Sequence, residues 1–400
     1  MKKAFLLLAG VALFWACDPS SKEGPYNFND KDLKGENVTI LGSFDARKVF
    51  MLNEGQKGSN NASLDMLRFT DAQYITDVFK KMNPEEGAGL GDVGNDIKVI
   101  GNEVWITVNN SGIVEVLDAR DEKQIAAITV PTPRNIAFDD KYAYVSSWAG
   151  AYADGQYDND GIFHITDSKN PKGAVYRINL STKKLDGSVE VGYQPEGLAV
   201  SGGKLYVANS GGISCQLPPN YSYDNTVSVI DLKKFEVEKN IEVVVNLYYV
   251  YADSHGVIFV TTMGNYNDVH SGLYAIVDER VIKVCDYVSK SAQLGDSIYC
   301  IGTETEFDWA LKTHEYSLRS YKLDKVDKGA AVPTFYNVTV DGNPYGIHVL
   351  ETSNAKDHYL LMTDAGDYWN PGTISMYDFS DGKKLWTVST GVCPAHFAIG

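Results

Sequence analysis

Gln194-Pro195-Glu196-Gly197-Leu198-Ala199-Val200, then the glycine turn Gly202-Gly203, then Lys204-Leu205-Tyr206-Val207-Ala208-Asn209, is the stretch that decides the fold. After a loop the chain continues as Asn225-Thr226-Val227-Ser228-Val229-Ile230-Asp231-Leu232, makes a short polar turn, and runs on as Val237-Glu238-Lys239-Asn240-Ile241-Glu242-Val243. Each run alternates apolar with polar residues or is rich in β-branched ones, and each is bounded by turn residues, which is the pattern of a β-strand. Four strands, A to D, therefore form one antiparallel unit.

The unit recurs. Strand A reappears at residues 96–100, 135–138, 197–200, 249–252, 345–350 and 396–399, with a weaker copy at 291–295. Strand B follows at 104–108, 143–146, 205–208, 258–262, 298–301 and 359–363, and strand C at 113–117, 174–178, 226–230, 272–276, 317–321 and 373–377. A period of about 40 to 45 residues plus loop insertions is that of a propeller blade. The ends are complementary halves. Val49-Phe50-Met51-Leu52-Asn53 reads as a strand B with no strand A before it, and Cys393-Pro394-Ala395-His396-Phe397-Ala398-Ile399-Gly400 as a strand A with no strand B behind it. Pairing them completes one blade and closes the ring without an open sheet edge. The reading is all-β: a seven-bladed β-propeller closed by the C-terminal strand. Residues 71–82 fit either strand D of the first blade or a helical turn, and an outer strand is expected around 37–41.

The N-terminus leads us to expect this domain outside the cytoplasm, behind a lipoprotein signal or an ordinary secretory signal with a coincidental cysteine. Met1-Lys2-Lys3 precedes an apolar run from Ala4 to Ala16 and then Cys17, a charged start and hydrophobic stretch too short to span a membrane as a helix. Ala16 before Cys17 resembles the lipobox of bacterial lipoproteins, although Phe14 and Trp15 are bulky for it. The expected division is a signal peptide at 1–16, a lipidated tether with a possible outer strand at 17–44, and the propeller at 45–400. Removing residues 1–16 takes away Lys2 and Lys3 and no acid, moving the formal charge from −16 to −18. That balance argues against nucleic acid and against electrostatic attachment to anionic lipid. Apart from Cys17 the cysteines are Cys215, Cys285, Cys300 and Cys393, with no CxxC spacing; their pairing cannot be read from sequence.

Loops joining B to C and D to the next A share one face, and that face carries the length variation: 53–61, 148–173, 209–225, 264–272, 302–316 and 364–372. Long loops on a rigid scaffold are where binding concentrates. Their content is aromatic and small-polar, with Trp148, Tyr152, Tyr157, Tyr266, Tyr368 and Trp369 foremost, a composition suited to a large neutral ligand rich in amides or hydroxyls, or to a protein partner. Arg134, Glu196, Tyr248, Tyr345 and His396 at the D-to-A junctions and Asn209 at a strand B end join this candidate site. Glu196 and Arg134 read either as an ion pair or as ligand contacts. The seven histidines are dispersed and show no metal-ligand spacing, and GxSxG is absent, so no metal or catalytic residue is assigned and no enzyme is expected. Carboxylates from different blades meeting at the axis leave a lactonase as the enzyme alternative.

The repeat cores Leu205-Tyr206-Val207-Ala208-Asn209 and Thr226-Val227-Ser228-Val229-Ile230-Asp231 resemble YncE-like (YVTN-type) seven-bladed propellers over roughly residues 45–400. Met51-Leu52-Asn53-Glu54-Gly55 with Asn60-Asn61-Ala62-Ser63-Leu64, the run Thr363-Asp364-Ala365-Gly366-Asp367-Tyr368, and Cys393-Pro394-Ala395-His396-Phe397-Ala398 resemble more closely the BtuG-like group of lipid-anchored propellers. The resemblance implies a cell-surface, outer-membrane lipoprotein that needs no cofactor, binds cobalamin or another corrinoid, and passes it to a TonB-dependent transporter. A surface scaffold or glycan-binding propeller of a nutrient-uptake system is the alternative. Acylation of Cys17 gives a direct expectation: the native chain partitions with membranes and Cys17→Ala moves to the soluble fraction. Equal partitioning of the two in a detergent phase-separation assay would refute the anchor.

Overall fold

The computed structural model describes residues 33–87, 89–148, 155–157, 163–165, 172–211, 223–265, 267–303, 316–321, 333–338, 340 and 342–400; for 155–157, 163–165 and 321 it describes the backbone alone. Cys17, Tyr152, Tyr266 and Cys215 lie outside the described residues. Seven antiparallel sheets form the blades. The first blade takes its inner strand A from the C-terminus, Pro394–Ile399, and its strands B, C and D from Lys48–Asn53, Ser63–Arg68 and Gln73–Ile75. The inner strands of blades two to seven are Gly94–Ile100, Pro133–Phe138, Pro195–Ser201, Leu247–Ala252, Val288–Leu294 and Pro344–Glu351.

The period-two side-chain rule explains why these sheets need one another. In Lys48–Asn53, Phe50 and Leu52 pack toward the second blade with Ile97, Val104 and Ile106, whereas Val49 and Met51 pack toward the seventh with Leu361, Ile374 and Met376. Both faces of a blade are therefore core. Among the described residues seven apolar clusters occur, one at each blade junction. Strand D pays no such double burial: Glu236–Glu242 alternates exposed and partly buried positions, as an outer edge facing water does. Toward the axis the strands crowd. A Cβ on Gly197 would stand 2.5 Å from the Tyr248 carbonyl oxygen of the next blade, so only glycine fits there.

Closure is a five-pair antiparallel ladder in which Val49, Phe50, Met51 and Leu52 face Ile399, Ala398, Phe397 and His396 in turn, ending at Asn53 and Pro394. Backbone bonds from Glu54 N to Cys393 O (2.8 Å) and from Arg47 N to Gly400 O (3.0 Å) extend it at both ends. The segment before the first blade reinforces the same seam. Phe44 stacks on Phe69 at 4.5 Å, and the Trp386 indole of the seventh blade donates to Thr39 O at 2.8 Å. The outer strand is shorter than expected, Glu36–Asn37 instead of 37–41. Its partner Gln73–Ile75 has only three residues, so the ladder runs out and Val38 and Ile40 turn onto the core. Residues 71–82 hold both expected elements: strand D, and a one-turn helix Val78–Met82 capped by Asp77.

Deleting residues 393–400 uncovers Phe50 and Met51, which are at most 1 % exposed, and each such burial contributes roughly 1.5–3 kcal/mol. Together with an unpaired inner edge this is a large part of the ~5–15 kcal/mol that holds a domain. The truncated chain is expected to lose its cooperative thermal unfolding transition. An unchanged melting curve by circular dichroism would show that the ring does not depend on this strand.

Candidate functional site

All seven inner strands begin the same way. Their first residue pairs with strand B, and the register then slips: Gly94 faces Val108 but Asp96 faces Thr107, and Pro344 faces Asp364 but Gly346 faces Thr363. The same slip follows Pro133, Pro195, Leu247, Val288 and Pro394. A bulge re-aims the residue it leaves unpaired. It leaves out Asn95, Ser289, Tyr345 and Ala395 singly in four blades and sets Arg134 with Asn135, Glu196 with Gly197, and Tyr248 with Tyr249 against one residue each in the other three, at the long-loop end of the axis. Six of these strands are preceded by a non-glycine residue in the left-handed region, Val93, Thr132, Gln194, Asn246, Tyr287 and Cys393. For β-branched Val93 and Thr132 this conformation costs of order 1–3 kcal/mol, strain of the kind that accumulates at binding sites.

Two charged groups occupy this mouth. In one, Glu54 Oε1 lies 2.9 Å from His396 Nε2, the Tyr345 hydroxyl donates to the other Glu54 oxygen, and Lys290 Nζ sits over the Tyr345 ring at 4.7 Å. Burial opposes the Glu54 charge, but the bond and charge of His396, the Tyr345 bond and nearby Lys290 outweigh it and hold the carboxyl below its ordinary value. Burial lowers Lys290, with Glu54 pulling the other way. In the second group Arg134 Nε donates to Glu196 Oε2 at 2.9 Å, Arg134 bonds the Asn95 side-chain oxygen, and its guanidinium lies 4.3 Å from the Trp148 ring centroid. Burial raises the Glu196 carboxyl against the pull of Arg134 and of a Trp148 hydrogen bond. Tyr248, packed edge-on against Tyr249 at 4.4 Å, stands between the groups: burial raises its hydroxyl, and both Glu196 and Glu54 add to the shift.

Below the mouth the axis opens into two adjoining cavities of about 280 and 330 Å³ that share Asp96, Lys98, Tyr249, Tyr251 and Gln293. His348 borders the first; its ring lies 5.6 Å from that of Phe397, and its Nε2 has no hydrogen-bond partner. Burial, with Lys98 adding to it, lowers the His348 imidazole to about 4. Above the mouth the loop 364–372 is held in shape. Asp367 Oδ1 accepts from Trp369 N (2.9 Å) and Asn370 N (2.8 Å), and Gln56 Nε2 donates to Tyr368 O at 2.8 Å. Trp369 is thereby presented 74 % exposed beside Tyr368, whose ring meets Tyr345 edge-on at 5.6 Å.

Of the residues singled out from sequence, Arg134, Glu196, Tyr248, Tyr345 and His396 meet at the mouth with Trp148, and Tyr368 and Trp369 form its rim. Arg134 and Glu196 are an ion pair. Asn209 is fully buried, with its amide donating to Thr226 Oγ1 (3.0 Å) and Ser228 Oγ (2.9 Å) and its oxygen accepting from Gly192 N (3.1 Å). In this arrangement it braces strands B and C. The side chain of Tyr157 lies outside the described residues, as do Tyr152 and Tyr266. Glu54, Lys290 and the axial Asp96, Lys98, Tyr251 and Gln293 escaped the sequence reading. For the strand residues among them the signal lies in polar or aromatic residues at every second position of strands whose other face is core, as in Asp96-Ile97-Lys98 and Tyr249-Val250-Tyr251; Glu54, beyond its strand, has none.

No protein-family model and no curated protein matches the chain. Among solved structures the chain is similar to Kuenenia stuttgartiensis hydrazine synthase, with a TM-score of 0.54 and 18 % identity over 76 % of this chain and 88 % of that one. At that identity the likeness shows the fold alone: a β-propeller.

His348 makes the axis sensitive to acid. Its folded value near 4 lies below the ordinary 6.5, so between those values the unfolded chain binds the proton and the folded one does not. Stability is full above about pH 6.5 and falls as pH drops toward 4, by ~3 kcal/mol from this group. Urea unfolding of His348→Gln is expected to show a shallower decline across this window than the native chain. Parallel declines would remove His348 as the cause.

Proposed function

We propose that the chain is a non-catalytic, lipid-anchored surface protein that binds a corrinoid across the mouth of its propeller for delivery to a TonB-dependent outer-membrane transporter. The observation that carries this reading is the convergence of Asn95, Arg134, Glu196, Tyr248, Lys290, Tyr345 and His396, all at or beside the bulged starts of the inner strands, on a mouth rimmed by Tyr368 and the exposed Trp369. A corrin is a broad macrocycle fringed with amides, each of which needs a donor and an acceptor. Lys290 and Arg134 stand beside Glu54 and Glu196 to meet both needs, while the aromatic rim offers rigid contact area. The axial cavities, of about 280 and 330 Å³, are too small for the macrocycle, so it lies over them with only its fringe groups reaching inward. Carriage to the transporter and the surface location rest on the resemblance of the closing and loop motifs to BtuG-like propellers. A glycan-binding propeller is the second reading, favoured by Trp369, whose flat exposed ring is a platform for sugar stacking.

The test is direct: full-length protein purified in detergent, incubated with cyanocobalamin and desalted, is expected to retain corrin absorbance. In calorimetric titrations Trp148→Ala, Tyr345→Ala and Trp369→Ala are each expected to cost about 2 kcal/mol, some thirtyfold in affinity. No binding by the native chain at micromolar ligand would reject the corrinoid. Binding insensitive to all three substitutions would move the site away from this mouth.

A further inference from the structure

On the face opposite the mouth, the turns after the inner strands of the fifth and sixth blades meet, and we propose that Asp253, His255 and Asp296 there form a binding site for a divalent transition-metal ion of the zinc type. One potential ligand atom from each lies within 4.8 Å of the other two. His255 Nδ1 stands 3.9 Å from Asp253 Oδ2 and 3.6 Å from Asp296 Oδ2.

The carboxylates divide their work. Asp253 Oδ1 accepts the backbone N–H groups of His255 (2.9 Å) and Val257 (2.8 Å), which sets the turn. Its Oδ2 has no hydrogen-bond partner although the side chain is wholly buried, and it points into the group formed with His255 and Asp296. An unpartnered buried carboxylate oxygen is costly, and a cation between these atoms would supply what the protein does not. Asp296 Oδ1 accepts Ser254 N at 2.8 Å, and its Oδ2 accepts the Ser254 hydroxyl at 3.0 Å, an outer contact that orients the second carboxylate.

The donors select the ion. Calcium and magnesium favour six or more oxygens, whereas one imidazole with two carboxylates suits zinc and its neighbours. Zinc bonds near 2.0–2.1 Å place tetrahedral ligands about 3.4 Å apart, so the two carboxylates, within 4.8 Å of each other, must draw together around the ion, and His255 Nδ1 stands a few tenths of an ångström too far from each of them. His255 is 42 % exposed in its side chain, so its ring has room to close that gap and leaves a position open to water. The ion would tie two blades together, far from the mouth, and its presence or absence is independent of the corrinoid reading.

Full-length protein stripped with EDTA and freed of chelator is titrated with zinc chloride by calorimetry. One equivalent is expected to bind, with at least tenfold weaker binding in His255→Ala and in Asp253→Asn, which keeps the turn-setting Oδ1 acceptor. Zinc is expected to raise the melting temperature of the native chain and not of His255→Ala. His358→Ala, which removes a different surface histidine 3.1 Å from Glu351, is expected to bind zinc as the native chain does. Failure of the native chain to take up zinc, uptake unchanged in both site variants, loss in His358→Ala, or calcium bound more tightly than zinc would each overturn the proposal.

Discussion

The pairing of the last strand with the first is the interaction on which the rest depends. Every blade buries both its faces against neighbours, so none has a finished core alone, and a ring with one open junction would leave a whole apolar cluster in water. The ladder between Lys48–Asn53 and Pro394–Ile399 makes the seam chemically equivalent to the other six. The chain adds to it: Phe44 and the Thr39 carbonyl clamp the same junction from outside, and Lys48 forms a buried 2.6 Å ion pair with Glu122 of the second blade. A buried pair of this kind contributes little net stability and much to geometry, because either partner alone would be an uncompensated charge.

Closure also builds the mouth. Glu54 lies one residue beyond the first strand B, and its partners Tyr345 and His396 are 291 and 342 positions away in sequence. They meet because the C-terminal strand is the inner strand of the N-terminal blade. The Arg134 group is drawn from blades two to four, and Glu54 still acts on it through space by raising the Glu196 carboxyl further.

How much of this could be read from residues follows from which face a residue serves. Strands B, buried on both sides, are continuous apolar runs and stand out, as Val104-Trp105-Ile106 does. Inner strands keep one face toward a polar axis and lose half their apolar signal. Val288-Ser289-Lys290-Ser291-Ala292-Gln293-Leu294 is faint for that reason, and with it Lys290 was missed. The site members found were those at recognisable junctions. Glu54 reads locally as an ordinary loop acid, and Asn209 reads as a free loop amide although Thr226, Ser228 and Gly192 engage it fully. Asp253 and Asp296 have no common motif; only the juxtaposition of two blades unites them.

On the reading proposed for it, the electrostatics of the mouth constrain what it would accept. Arg134 faces Glu196 at 2.9 Å, and Glu54 is held by Tyr345, His396 and Lys290, so the cations and acids there are already matched. A charged ligand group would have to displace a partner and leave its counterpart buried and uncompensated, at a cost of several kcal/mol. A neutral polar ligand needs only to share donors and acceptors whose geometry the bulges have fixed, which preserves every pair. The strongly acidic surface argues in the same direction, since it repels anions before they reach the rim. A ligand at the proposed site would thus be selected against net negative charge and for breadth and hydrogen-bonding capacity, and the exposed ring of Trp369 would add apolar contact at its rim.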